Sequence, residues 1–122
     1  MTPGGRQVAD CVFCMIANGT IPATVVWRDE RVVAFSDLSP QAPVHVLIVP
    51  RDHYDGLGSD VPADVLGALL AAAPRVAEAA GVADTGYRVI VNTGPDAGQT
   101  VSHLHVHLLG GARMSEGMVR LA

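Results

Sequence analysis

The sequence predicts an α+β domain, an antiparallel sheet of about five strands carrying one short and one long helix. Three observations lead there. Apolar and β-branched runs joined by short links recur along the chain, so neighbouring strands pair antiparallel. One stretch, 62–80, carries apolar residues at helical spacing. No apolar run approaches the roughly 18 residues that a membrane span requires. A chain of 122 residues is the size of one domain with a single core.

Residues 1–9 are polar and read as a flexible tail before a domain spanning 10–122, with no hydrophobic signal region. Asp10 is expected to cap a short helix, Cys11 to Asn18, whose Val12, Phe13 and Ile16 are apolar and which Gly19 ends. Thr24 to Arg28 and Arg31 to Ser36, joined at Asp29-Glu30, read as a hairpin. Ser39-Pro40-Gln41-Ala42-Pro43 is a loop, because its two prolines lack the N–H a ladder needs. Val44 to Val49 follows as a buried strand closed by Pro50. The long helix is Pro62 to Ala80: Val65, Leu69, Ala72, Val76 and Ala80 recur at its period, Pro62 suits its first turn, and Gly81 ends it. Pro74 is expected to kink or split it, since the ring clashes with the carbonyl four residues earlier. Tyr87 to Val91 and Val101 to Leu109 complete the strands, around a loop at 92–98.

Composition narrows the function. The net charge is -4 and no run of basic residues appears, which argues against nucleic acid as a partner. All eight cationic side chains are Arg, so a bound phosphate must meet backbone amides, hydroxyls, histidines or Arg. The two cysteines, Cys11 and Cys14, are too few for a disulfide framework and suggest a metal pair or a redox pair. The redox reading lacks the βαβ context that such a motif uses, whereas two buried, inert cysteines stay open. A soluble, cytoplasmic protein with no membrane partner is expected.

Ser102-His103-Leu104-His105-Val106-His107-Leu108-Leu109 holds three of the five histidines. On a strand the three imidazoles share one face, while Leu104, Val106 and Leu108 enter the core. Neutral imidazole is a nucleophile near pH 7 and a proton carrier, which suits phosphorus chemistry. Neighbouring rings keep one another neutral, because two adjacent cations repel. The competing readings are scattered packing residues and a transition-metal site built from these rings.

His103-Leu104-His105-Val106-His107-Leu108-Leu109 resembles the signature of the histidine-triad (HIT) family, His-φ-His-φ-His-φ-φ with φ apolar. Ile21-Pro22-Ala23, Ala34-Phe35-Ser36-Asp37, Val91-Asn92 and Gly98-Gln99 extend the resemblance over Cys11 to Met114. Pro40-Gln41-Ala42-Pro43-Val44-His45 and Gly110-Gly111 resemble its Hint branch, of bacterial type, more than the Fhit branch that hydrolyses dinucleotides. The resemblance implies a HIT-like fold, a homodimer, and hydrolysis of purine nucleoside phosphoramidates (AMP or GMP conjugates) to the nucleoside monophosphate. It makes His105 the nucleophile that carries the nucleotidyl group, has His107 contact the phosphoryl oxygens, and has His45 assist proton movement. It places Asn92, Gly98, Gln99 and Thr100 around the phosphate, Asp37 on the ribose hydroxyls, and Phe35 with Ile16 at the base. It also implies structural zinc on Cys11, Cys14, His53 and His103, not needed for the chemistry. The rival functions are a nucleotide-binding module with little turnover, a Fhit-like dinucleoside polyphosphate hydrolase and a metal-dependent hydrolase. One departure stands out. Many Hint-branch chains end in a Trp-Pro-Pro-Gly-like segment that reaches the partner's active site, whereas this chain ends Met114 to Ala122 without it, and its only tryptophan is Trp27.

Overall fold

The computed structural model describes residues 7–122. Its elements run α1 (Val12–Ala17), β1 (Val25–Arg28), β2 (Val32–Ser36), β3 (Val44–Pro50), α2 (Ala63–Ala80), β4 (Tyr87–Ile90) and β5 (Val106–Gly110), with one 3-10 turn at Pro95–Ala97. The five strands form one sheet in the order β1-β2-β3-β5-β4, every pair antiparallel. The α+β expectation holds in element order and strand number. Among the described residues no helix is long and apolar enough to cross a membrane.

Strand alternation divides the core between the two faces of the sheet. Val32, Ala34, Val46, Ile48 and Leu108 point to α2 and meet Leu69 and Val76. Val33, Phe35, Leu47 and Val49 point the other way and meet Phe13 and Ala17 of α1. Ile48 and Leu108 are fully buried, so truncating either to Ala costs about 2–5 kcal/mol. Because α1 is only 6 residues long, it covers part of its face and leaves the rest open as a cleft.

Four local expectations change in the structure. The cap of α1 is Cys11, not Asp10: the Cys11 sulfur accepts the Cys14 N–H at 3.3 Å, as a side-chain oxygen otherwise does. Pro62 is the N-cap of α2 rather than part of its first turn. Pro74 does not split α2, which runs unbroken to Gly81 at φ 80°. Pro74 lies on the exposed side, as does Leu70, whose carbonyl loses its donor, while buried Ala72, Ala73, Val76 and Ala77 hold both halves to the sheet. The last strand begins at Val106 rather than Val101, because the Leu104 N–H leaves the ladder to bond the Tyr54 carbonyl at 2.6 Å. The alternation continues upstream, with Leu104 still in the α2 core.

Of the tail expected at 1–9, residues 1–6 lie outside the described residues. Gln7 donates to the Arg51 carbonyl and accepts from the Asn18 amide. Arg51 in turn donates to the carbonyls of Ala17 and Asp29, tying the end of α1 to the β1–β2 turn.

Candidate functional site

The open part of the α1 face is a cleft of about 580 Å³, within the range of small-molecule sites. Phe13 and Ile16 of α1, with Ile21, Phe35 and Leu47, make an apolar wall. His45, His105 and His107 line it together with Asp37, Asn92, Gly98 and Thr100. Gly98 sits at φ 79° directly after the 3-10 turn, a left-handed position that a side chain would strain.

The triad does not act as one row. His103 is completely buried and turns into a cluster with both cysteines. His105 and His107 face the cleft with ring centroids 4.9 Å apart, and the edge of Phe13 packs on His103 and His105. His45 pairs with Leu109 in the ladder and Leu47 with His107, so the two histidines are diagonal neighbours on one face.

Hydrogen bonds fix where each ring carries its proton. His105 Nδ1 lies 2.7 Å from the His103 carbonyl, which can only accept, so Nδ1 carries a proton and the lone pair of the neutral ring is on Nε2. The Gln41 backbone N–H donates to His45 Nδ1 at 3.0 Å, so His45 is protonated on Nε2. That Nε2–H lies 2.9 Å from His107 Nδ1 and donates to it, which leaves His107 protonated on Nε2. Asp37 Oδ2 sits 3.4 Å from the same His45 nitrogen, and Asp37 Oδ1 accepts from Ser39 N–H. Burial, then the neighbouring His105 and His45, push the His107 pKa down to about 4. His107 is therefore neutral near pH 7. A lone pair on His105 and an N–H on His107 sit side by side, as attack on phosphorus with stabilisation of its oxygens requires.

Behind the triad, Cys11, Cys14, His53 and His103 bring four donor atoms within 4.8 Å of one another. Cys11 Sγ to His103 Nδ1 is 3.3 Å, Cys14 Sγ to His53 Nδ1 is 3.3 Å, and Cys14 Sγ to His103 Nδ1 is 3.5 Å. Tetrahedral zinc holds S and N ligands about 3.5 Å apart, given its bond lengths, so the donor set fits that ion. The outer nitrogens agree: His103 Nε2–H donates to the Pro50 carbonyl at 3.0 Å and His53 Nε2–H to Asp55 at 2.8 Å. Both rings thus turn a bare Nδ1 inward. Val8 and Cys14 backbone N–H groups point at the two sulfurs. Burial, ahead of the neighbouring Cys11, raises the Cys14 thiol above its ordinary range, so a bound cation is what would make it a thiolate.

Among the residues expected around the nucleotide, Gln99 does not line the cleft. Its amide donates to the Asp55 and Val101 carbonyls and accepts from Gly94 N–H, and its backbone N–H is taken by the Gly94 carbonyl. Gln99 therefore holds the loop in place. Ile16, Phe35, Asp37, Asn92, Gly98 and Thr100 all line the cleft. Sequence reasoning misses Gln41, whose contribution is a backbone N–H, and Asp55, whose only signal is its place two residues after His53.

Residues 18–114 match the HIT domain family. The chain belongs to the histidine-triad family. It is 44% identical over 110 residues to a 14 kDa zinc-binding protein of Brassica juncea, covering 87% of this chain and 96% of that protein. It is 43% identical over 105 residues to a purine nucleoside phosphoramidase of Escherichia coli K12, covering 84% and 87%. The crystal structure of a histidine triad protein from Clostridium difficile superposes with a TM-score of 0.87 at 45% identity, covering 92% of this chain and 99% of that one. The sheet and helices of this chain thus follow the fold of a histidine triad protein over most of its length.

Proposed function

We propose that this histidine-triad protein hydrolyses purine nucleoside phosphoramidates through a nucleotidyl intermediate on His105. The observation that carries the reading is the pair of opposite tautomers, a lone pair on His105 Nε2 beside an N–H on His107 Nε2. His105 Nε2 attacks phosphorus while the His107 N–H stabilises the phosphoryl oxygens. The P–N bond breaks with its electron pair on nitrogen, and the departing amine takes a proton from solvent, leaving His107 neutral. The His105 ring carries the positive charge of the nucleotidyl intermediate. Water then attacks phosphorus, His105 leaves with its lone pair and returns to the neutral ring, and the water proton passes to solvent. The nucleoside monophosphate is released. Asp37 takes the ribose hydroxyls and the wall of Phe13, Ile16 and Phe35 takes the base, with the amides and Thr100 hydroxyl of the 92–100 loop around the phosphate.

Zinc in this reading is structural. Four protein donors fill a tetrahedron and leave no open position for water or substrate. The metal would fix His103, whose carbonyl orients His105. Two reduced thiols in that role fit a cytoplasmic setting. The protein pairs with a second copy of itself through β4, whose outer edge is unpaired and whose Tyr87, Val89 and Ile90 are exposed.

The test is AMP release from adenosine 5′-phosphoramidate by wild type and by His105→Ala, with AMP affinity measured on both. Wild-type turnover that vanishes in the variant, while AMP still binds, supports the nucleophile. Equal and near-zero rates from two folded proteins that both bind AMP leave a binding module in its place.

A further inference from the structure

The cleft contains a second set of ligating atoms. Asp37 Oδ2, His45 Nε2 and His107 Nδ1 lie within 4.8 Å of one another. Two imidazoles and one carboxylate with positions open toward a cleft are a donor set that iron(II) or zinc takes readily. A metal there would remove the proton chemistry assigned above. The bonds at the far side of the rings decide whether it can enter.

An imidazole offers a lone pair inward only when its other nitrogen carries the proton, which needs an acceptor opposite that nitrogen. His53 and His103 have such acceptors in Asp55 and the Pro50 carbonyl. His45 has the reverse. Opposite its Nδ1 stands the Gln41 backbone N–H at 3.0 Å, a group that only donates. The Nδ1 lone pair is thereby occupied and the proton is forced to Nε2, the atom a metal would need. Binding at Nε2 would then demand either an imidazolate or two N–H groups facing each other in a site where His45 is 6% exposed. We propose that the Gln41 backbone amide is a positioning group that sets the tautomers of His45 and His107 and closes the Asp37–His45–His107 cluster to metal.

The consequence runs along the chain of bonds. With His45 held as the Nε2–H form, His107 Nδ1 must accept, and the remaining His107 proton faces the substrate. Losing the Gln41 N–H frees His45 to carry its proton on Nδ1. His107 then has no donor opposite its Nδ1, and Asp37 Oδ2, His45 Nε2 and His107 Nδ1 become three bare ligands. The role of the His107 proton in turnover rests on the hydrolase reading, whereas the tautomer and metal resistance do not.

The experiment uses the zinc-loaded protein labelled with 15N-histidine, with ring protonation read from two-bond 15N–1H correlation spectra. Calorimetric titration with Zn2+ alone then reports binding beyond the first equivalent. Wild type is expected to show His45 protonated on Nε2 and no cleft binding of a second Zn2+. Gln41→Pro removes the N–H; it is expected to populate the Nδ1–H form and to bind a second Zn2+ at least about tenfold tighter. Gln41→Ala keeps the N–H, and with it the wild-type tautomer. A wild-type His45 protonated on Nδ1 overturns the proposal. So does a wild type that binds a second Zn2+ at these three ligands, or a Gln41→Ala spectrum that matches Gln41→Pro. If Gln41→Pro does not fold, the wild-type spectrum and titration decide alone. Absence of wild-type turnover would remove the hydrolase reading and leave this result standing.

Discussion

The two histidine clusters differ in the group each ring meets on its outer side. In the cysteine cluster the outer nitrogens of His53 and His103 meet oxygen acceptors, so the inner nitrogens are bare. In the cleft His45 meets a backbone donor, so its inner nitrogen is protonated and hands that polarity to His107. The same side chain thus offers a bare ring nitrogen in one place and an N–H in the other. Residue type alone does not separate the two. The outer partner does.

The largest effect that would test this contrast is at His105, the proposed nucleophile. His105→Ala is expected to lose about 10⁴-fold in turnover, measured as AMP release, since nothing else in the cleft offers a bare ring nitrogen. A loss under about tenfold would break the assignment. Next comes the metal side. Cys14→Ala removes a buried donor and is expected to cost about 3 kcal/mol, seen as a melting temperature roughly 10 °C lower. Zinc content by metal analysis should fall with it; an unchanged zinc content would reassign the cluster as packed thiols.

Smaller effects sharpen the comparison. His45→Ala takes the donor from His107 and is expected to cost about 10²-fold in kcat with a lesser change in KM. Asp55→Asn weakens the acceptor behind His53 and is expected to lower zinc affinity by about tenfold in a chelator competition. The smallest is a pH effect at His107. Its folded pKa of about 4 lies below the ordinary 6.5, so the unfolded chain takes up a proton first as pH falls. The contribution is complete above 6.5 and is lost between 6.5 and about 4, on the order of 1 kcal/mol once solvent screening is allowed for. Urea midpoints for wild type and His107→Gln across that window should converge toward the acid end.

The sequence carries the sheet and both helices clearly because alternation and helical period are side-chain patterns, and Val46, Ile48 and Leu69 follow them. The family resemblance also points to the four donors of the cysteine cluster, which the structure brings within 4.8 Å of one another. What the sequence hides are contributions made by the main chain. The Gln41 N–H and the carbonyls of Pro50 and His103 decide three tautomers, yet any residue other than proline could supply the first and any residue the others. The start of β5 is hidden for the same reason, a Leu104 N–H turned toward Tyr54. Gln99 is a contrasting case: a polar side chain beside a phosphate loop suggests ligand contact, and the structure shows its amide bonded to Gly94, Val101 and Asp55.

His103 has one further implication. Its ring belongs to the cysteine cluster and its carbonyl holds the His105 ring, so the two sites are coupled through one residue. A shift of α1 that moves Cys11 by a fraction of an ångström also re-aims His105. Replacing the cysteines would then require compensating packing at the same spot, and a tolerance map of residues around 103 should show such changes accepted together rather than singly.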